Sequence, residues 1–170
     1  MKHHFLILAL LISTTEAMSQ RLVDKREQAE GWYLPVHGQA FIDGKKTDGY
    51  LVRLYEENEY KGEVPVDKKG RFLLELDIDK TYTVELTKEG YERKLMLIDT
   101  QLPEGLVEYP DYECYVNLTP EEAHQGKQDF YTDFPTAIIR WSEEMEGFYH
   151  SEHYLEHIQN KLGNVAQASF

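Results

Sequence analysis

Cysteine and basic residues are scarce in this chain of 170 residues. A single cysteine excludes an internal disulfide and a zinc site built from several thiolates. Lys and Arg number 18 against 31 Asp and Glu, which gives a formal net charge of −13. Nucleic acids and anionic membrane surfaces attract basic patches, so this charge argues against both as partners.

Several local patterns that mark active sites are also missing. No serine lies in a G-x-S-x-G turn, and no glycine-rich phosphate loop is present. Cys114 has no basic neighbour in sequence that would lower its pKa and make it a nucleophile. We therefore expect the chain not to be an enzyme, with no catalytic residues, no cofactor and no metal.

Long hydrophobic runs are absent as well. Residues 5–12 are all apolar, but a membrane-spanning helix needs about 20 such residues. The run follows a short basic start, and the small residues Ala17 and Ser19 fit cleavage before Gln20. Residues 1–19 are thus predicted to be a signal peptide, a buried N-terminal helix being the alternative. The mature protein is predicted to be periplasmic or secreted and not membrane-spanning.

The remaining composition is that of a folded domain. Hydrophobic residues make up 41% and aromatic residues 12%, including 12 tyrosines, which is too much for a disordered chain. A chain of this length buries enough surface to form a core without disulfides. After a polar linker at 20–31, we therefore expect a globular domain.

Residues 32–118 are predicted to form a mainly β domain, because residues typical of turns recur every eight to twelve positions. Apolar residues alternate with polar ones in the middle of this region, as at Phe72, Leu74 and Leu76. That period of two predicts an antiparallel β-sandwich with one face of each sheet in the core. The seven predicted strands cover 34–42, 50–55, 60–66, 71–76, 81–87, 95–98 and 112–118.

Residues 119–163 are predicted to be a C-terminal extension that docks on the sandwich, and 164–170 a frayed tail. Because residues 95–98 are all apolar, both faces of that strand should be covered, and this extension is the candidate. A helix start at 119–122, a strand or hairpin that includes 134–141, and a turn at 143–147 precede a short helix at 151–162. The apolar stripe of that helix is Tyr154, Leu155, Ile158 and Leu162.

Several of these segments resemble the carboxypeptidase regulatory-like domain, over roughly residues 32–100. The matching segments are Val36-His37-Gly38-Gln39-Ala40, Asp43-Gly44, Asp67-Lys68-Lys69-Gly70-Arg71-Phe72, Tyr82-Thr83-Val84-Glu85-Leu86 and Gly90-Tyr91. Residues 134–140, with Phe148-Tyr149, are similar to the tails of exported Bacteroidetes proteins that carry this domain. Val66 departs from the family pattern, which has Thr before the turn aspartate.

The resemblance implies a transthyretin-like sandwich of seven strands and a non-catalytic module. The family shares no catalytic residues in this module, so none is transferred. A hydrolytic branch of the wider group ends in Tyr-Arg-Gly-Ser, whereas this chain ends Gln167-Ala168-Ser169-Phe170. That hydrolytic activity is therefore not supported, and a fold alone does not establish a function.

The most specific local motif is H-x-x-E-H at His153, Glu156 and His157, which is a zinc signature in inverted zincins. His150 extends the same helical face by one turn. No Asp or Glu follows Glu156 to supply the third ligand, and a small domain leaves no room for a substrate cleft. An incidental metal site at these histidines is a second interpretation. The favoured interpretation is a solvated polar helix face.

Acidic residues offer weaker signals. Asp77 and Asp79 at a strand end, or Asp67 at a turn, could supply oxygen ligands to calcium, but none has the spacing of a dedicated loop. We interpret them as turn and end-of-strand residues. Glu143, Glu144 and Glu146 are most simply a solvated turn.

Aromatic residues could form a binding platform. Trp32, Tyr33, Trp141, Phe148 and Tyr149 are the candidates. Such residues stack on sugars or anchor partner proteins, but large aromatic side chains are more often packed in a core. Packing between the sandwich and its extension is the favoured interpretation. Cys114 is likewise expected to be buried, an intermolecular disulfide being the alternative.

Three functions remain open from the sequence. The favoured one is an exported, non-catalytic sandwich that binds another cell-envelope protein. The second is a carbohydrate- or small-ligand-binding module, which requires an exposed aromatic pair with polar neighbours. The third is a metal-dependent hydrolase built on His153, Glu156 and His157. Oligomeric state is not indicated by any pattern.

Overall fold

A computed structural model describes residues 33–121 and 135–150, which contain ten strands and no α-helix. Each strand is bounded by turns or loops. The strands are β1 (Tyr33–Ile42), β2 (Lys45–Lys46), β3 (Leu51–Glu56), β4 (Glu59–Val64), β5 (Arg71–Asp77), β6 (Thr81–Thr87), β7 (Lys94–Asp99), β8 (Tyr112–Asn117), β9 (Ala137–Ser142) and β10 (Gly147–His150).

The strands form two sheets in a sandwich-like arrangement. In the four-stranded sheet, β1 pairs antiparallel with β2 and β5 and parallel with β8. The six-stranded sheet has the order β10-β9-β7-β6-β3-β4, in which β7 and β9 are parallel neighbours. The predicted mainly β sandwich is therefore confirmed at this level.

Two finer expectations differ from the structure. The described residues contain ten strands, whereas seven were predicted for the sandwich and a strand or hairpin for the extension, where β9 and β10 pair antiparallel. Two strand pairs, β1 with β8 and β7 with β9, are parallel where antiparallel pairing was predicted. The strand predicted at 134–141 is β9, which extends the six-stranded sheet at the edge of β7 instead of covering a face. Pro120, placed in a helix start, forms an isolated bridge with Tyr91, and the predicted helix at 151–162 lies outside the described residues.

The core lies between the sheets and is built by alternation along the strands. Leu34 and Leu76 from the four-stranded sheet are fully buried, as are Leu86, Ile98 and Ile139 from the six-stranded sheet. Burying a side chain of this size contributes about 1.5–3 kcal/mol, so this layer is the main source of stability. The residues predicted to point inward on β5 and β6 do so.

Cys114 lies in this core, as expected. Its side chain is buried, and the Sγ–H donates to Met96 Sδ at 3.6 Å. Burial raises the pKa of the thiol to about 12, because the charged thiolate would be desolvated. A neutral buried thiol is unsuited to nucleophilic chemistry. Among the described residues, no helix has the length and apolar character needed to cross a membrane.

Candidate functional site

An open groove crosses the outer face of the four-stranded sheet. Strand register sets His37 of β1 between Leu73 of β5 and Glu113 of β8. The next outward row contains Arg71 and Tyr115, on either side of Gln39. These side chains line a cavity of about 650 Å³, which we call the Tyr115 groove.

One side of the groove is an aromatic pair. The Tyr115 side chain is 67% exposed, although large aromatic residues are usually well covered. Its ring meets the Phe41 ring edge-on, with centroids 5.9 Å apart and planes at 78°. The Tyr115 hydroxyl donates to Glu113 Oε2 at 3.2 Å, so the exposed ring is held from two directions.

The opposite side is a rigid turn. Asp67 Oδ1 accepts hydrogen bonds from the backbone N–H groups of Lys69 and Arg71, at 2.8 and 2.9 Å. Asp67 Oδ2 accepts from Arg71 Nε at 2.8 Å and lies 2.7 Å from its Nη2. Both oxygens of this carboxylate are thus engaged, which supports the turn interpretation over a calcium ligand.

The Asp67 contacts predict a measurable pH dependence. The backbone and then the side chain of Arg71 lower the pKa of Asp67 from 3.8 to about 2. A lowered pKa stabilises the fold above pH 4, and that contribution is lost as the pH falls towards 2. Urea unfolding at pH 4 and pH 2.5 should therefore show a larger loss of stability in the wild type than in Asp67→Asn. Equal losses in the two proteins would contradict this assignment.

A buried amide fixes the turn to the sheet. Gln39 points to the outer face but is only 5% exposed, because its Nε2 donates to the carbonyls of Gly70 at 2.7 Å and Lys69 at 3.1 Å. The Tyr50 hydroxyl donates to the same Gly70 carbonyl at 2.7 Å. Buried polar groups that are satisfied in this way hold a single geometry, so the groove is preformed on this side.

Among the described residues, the histidine and acidic residues considered as metal ligands do not come together in a metal centre. His150 Nδ1 lies 3.0 Å from the Tyr112 hydroxyl, and its ring stacks on Tyr149. His153, Glu156 and His157 lie outside the described residues. Across 33–121 and 135–150, no three His, Cys, Asp or Glu side chains are grouped so that they could hold a metal ion.

The other acidic candidates lie in turns, except Asp77, which is the last residue of β5. Asp79 has a positive φ of 61°, and Asp77 Oδ2 lies 3.6 Å from Lys80 Nζ. Glu143 and Glu146 are exposed in the turn between β9 and β10, as is Glu144. These positions agree with the predicted turns and strand end.

Two of the five aromatic residues singled out from the sequence, Phe148 and Trp141, pack instead of forming a platform. The Phe148 ring is buried and contacts the rings of Trp141 and Tyr109 edge-on, at 5.7 and 6.2 Å. Tyr33 is half-buried, Tyr149 is partly exposed, and Trp32 lies outside the described residues. The structure therefore supports the packing interpretation for Phe148 and Trp141.

The aromatic pair at the groove, an exposed Tyr115 against a half-buried Phe41, was not found from the sequence. Alternation around the buried Cys114 could have pointed Tyr115 outward. No sequence signal indicated that β8 lies parallel to β1, which brings Tyr115 next to Phe41.

The chain matches no protein-family model and no curated protein sequence. Among solved structures, it is similar to 3-chlorocatechol 1,2-dioxygenase from Rhodococcus opacus 1CP, at 15% identity and a TM-score of 0.39, over 58% of this chain and 62% of that one. It is also similar to catechol 1,2-dioxygenase from Acinetobacter sp. ADP1, at 12% identity and a TM-score of 0.40, over 58% of this chain and 56% of that one.

The chain thus spans about three fifths of the length of these neighbours. Both neighbours are enzymes, and on this finding the prediction that the chain is not an enzyme does not stand. At these TM-scores the likeness assigns no activity, substrate or residue role to this chain.

Proposed function

We propose that the chain is an exported β-sandwich module that binds another protein of the cell envelope through the Tyr115 groove. The proposal rests on the exposed Tyr115 ring. Leu73, on the other side of the groove, is 40% exposed. Tyrosine and arginine are enriched among the residues that dominate binding energy, and Arg71 lies in the same groove. Seven of the ten strands, β1 to β7, lie within the residues that resemble the carboxypeptidase regulatory-like domain.

The groove is suited to tight binding because little of it has to be ordered on contact. The Asp67–Gly70 turn is held by Gln39 and Tyr50, and the Tyr115 hydroxyl is held by Glu113. Side chains that are fixed before binding lose less conformational entropy when the complex forms.

The charge of the chain favours a particular kind of partner. A net charge of −13 attracts proteins that present basic surfaces and accelerates their encounter. The association rate should therefore fall as the salt concentration rises, whereas contacts of Tyr115 itself should be much less sensitive to salt.

The direct test is Tyr115→Ala, measured against the partner identified by cross-linking and mass spectrometry of the envelope fraction. We expect at least about a tenfold loss of affinity, which is typical of truncating a central interface tyrosine. The melting temperature should hardly change, since the side chain is 67% exposed. The matched control is Tyr60→Ala, which removes a 45% exposed tyrosine from the other sheet. Equal affinities for Tyr115→Ala and wild type would refute the proposed site.

A carbohydrate ligand is the second candidate, and one observation favours it. The exposed Tyr115 ring, which packs against the half-buried Phe41 ring, is accompanied by the polar side chains of Glu113 and Arg71, and polar side chains beside an exposed aromatic ring suit a sugar ligand. Saturable binding on a glycan array that is lost in Tyr115→Ala, together with no protein partner, would select this alternative. The hydrolase hypothesis gains no support from the described residues.

A further inference from the structure

Strand β8 forms one edge of the four-stranded sheet. Among the described residues it pairs with β1 alone, and that pairing is parallel. In a parallel pair, alternate residues of a strand bond to the neighbour, and the residues between them direct their N–H and C=O groups to the other side. The Leu118 N–H donates to the Phe41 carbonyl at 2.8 Å, so the even-numbered residues of β8 face β1. The residues whose backbone groups face the edge are therefore Glu113, Tyr115 and Asn117.

This edge is accessible to a partner. All three residues whose backbone faces it are exposed. The edge of a sheet presents a row of N–H and C=O groups to which another strand can bond, and proteins usually protect it with lysine, proline, a bulge or a very short strand. The six residues of β8 include no proline and no lysine, and its pairing with β1 has no register shift.

The other edges of the two sheets are better protected. β4 carries Lys61 and has a register shift in its pairing with β3, and β10 has four residues. At the start of β5, the Arg71 carbonyl accepts a hydrogen bond from the Asp67 N–H at 2.8 Å. At its end, the Asp77 N–H donates to the Tyr82 hydroxyl at 3.1 Å. The edge of β8 is thus the one best suited to the addition of a strand.

The surroundings of this edge are acidic. Residues 95–126 contain seven Asp or Glu and no Lys or Arg. Asp111 and Glu113 are exposed at the start of β8. Arg71 of the groove lies on the far side of β1 and is paired with Asp67 at 2.7 Å. A strand that carries Lys or Arg is therefore favoured here, since opposite charges on adjacent strands attract.

We propose that the partner adds a basic β-strand to the edge of β8. This inference rests on the proposed function and describes how the partner reaches the Tyr115 groove. Hydrogen bonds to the backbone of the added strand supply affinity, and its alternate side chains supply specificity. The side chains opposite Tyr115 lie on the outer face, where Lys or Arg can stack on the Tyr115 ring and pair with Glu113.

Amide hydrogen exchange tests the pairing residue by residue. The full chain is measured alone and with the purified partner identified by cross-linking of the envelope fraction. In the free protein, we expect slow exchange at positions 114, 116 and 118 and fast exchange at 113, 115 and 117. The partner should slow exchange at these odd positions by at least about tenfold. Slow exchange there in the free protein would mean that this chain already occupies its own edge, and unchanged exchange in the complex would mean that no strand is added. Either result would overturn the inference.

Two substitutions separate the backbone from the side chain at this edge. Asn117 lies outside the Tyr115 groove, and its N–H faces away from β1, so Asn117→Pro removes an edge donor while the bonds to β1 remain. We expect Asn117→Pro to lower the affinity for the partner by about tenfold or more, because a main-chain hydrogen bond is lost and the ring obstructs the added strand. Asn117→Ala keeps the donor and should bind within about twofold of the wild type. Both variants should melt within a few degrees of the wild type.

The two proposals fail in different ways. If Tyr115→Ala loses affinity while Asn117→Pro binds as tightly as Asn117→Ala, the groove binds the partner without strand addition, and this inference alone is wrong. If Tyr115→Ala binds as the wild type does, the proposed function fails and this inference fails with it. A partner that proves to be a second copy of this acidic chain would also overturn the inference, because the added strand would then not be basic.

Discussion

Gly38→Ala should destabilise the protein by about 3 kcal/mol, at the upper end of the range for overpacking a core. Gly38 of β1 pairs with Phe72 of β5, and both face the core. A Cβ at position 38 would overlap the Phe72 ring. That ring is 4% exposed and packs edge-on against Tyr50, so it has little space into which to move.

A second substitution shows whether the overlap with Phe72 causes the loss of stability, or whether strand β1 tolerates no substitution at position 38. Phe72→Leu removes the far part of the ring. Gly38→Ala should therefore lower the free energy of unfolding clearly less in the Phe72→Leu protein than in the wild type. Urea unfolding of the four proteins measures this coupling. Purely additive losses would show that the close approach of Gly38 to Phe72 does not limit stability.

Gly70→Ala should have a comparable or larger effect, a loss of about 2–5 kcal/mol. The residue has a φ of 69°, and a left-handed conformation costs about 1–2 kcal/mol for a residue with a Cβ. The added Cβ would also overlap the backbone carbonyl of Thr47, and relieving such overlap costs a further 1–3 kcal/mol or so. Because Gln39 and Tyr50 both bind the Gly70 carbonyl, the turn cannot shift without breaking these hydrogen bonds.

The chain offers a matched control for this substitution. Gly44 has a φ of 73°, and nothing lies within 4 Å of the position where its Cβ would be. Gly44→Ala should therefore lower the free energy of unfolding only by the penalty of the left-handed backbone, about 1–2 kcal/mol. If thermal and urea unfolding gave the same loss for both variants, the contact with Thr47 would have no energetic effect, contrary to this account.

Alternation was enough to predict most of the sandwich. The residues at 72, 74 and 76 and those at 82, 84 and 86 point inward, because the side-chain period of a strand is fixed by its backbone. β2 was missed because Lys45–Lys46 has no apolar side chain to reveal it. The parallel pairings of β8 and β9 depend on contacts between distant segments, which a local pattern does not record.

The candidate site was harder to predict for the same reason. The groove joins Phe41 and Tyr115, two residues far apart in sequence that meet only through the pairing of β1 with β8. Gln39 also departs from simple alternation, since it is buried on the outer face by its bonds to the turn. Trp141 and Phe148, two of the aromatic residues considered as a binding platform from the sequence, pack against each other across β9 and β10.

Photo-cross-linking from position 115 tests the central claim that the Tyr115 groove is the binding face. A photoreactive phenylalanine analogue replaces Tyr115 in one strain and Tyr60, on the other sheet, in a second strain. We expect one dominant envelope protein to be cross-linked from position 115 and not from position 60. Cross-linking of the same protein from position 60 alone, or of no protein from position 115, would contradict the proposed function.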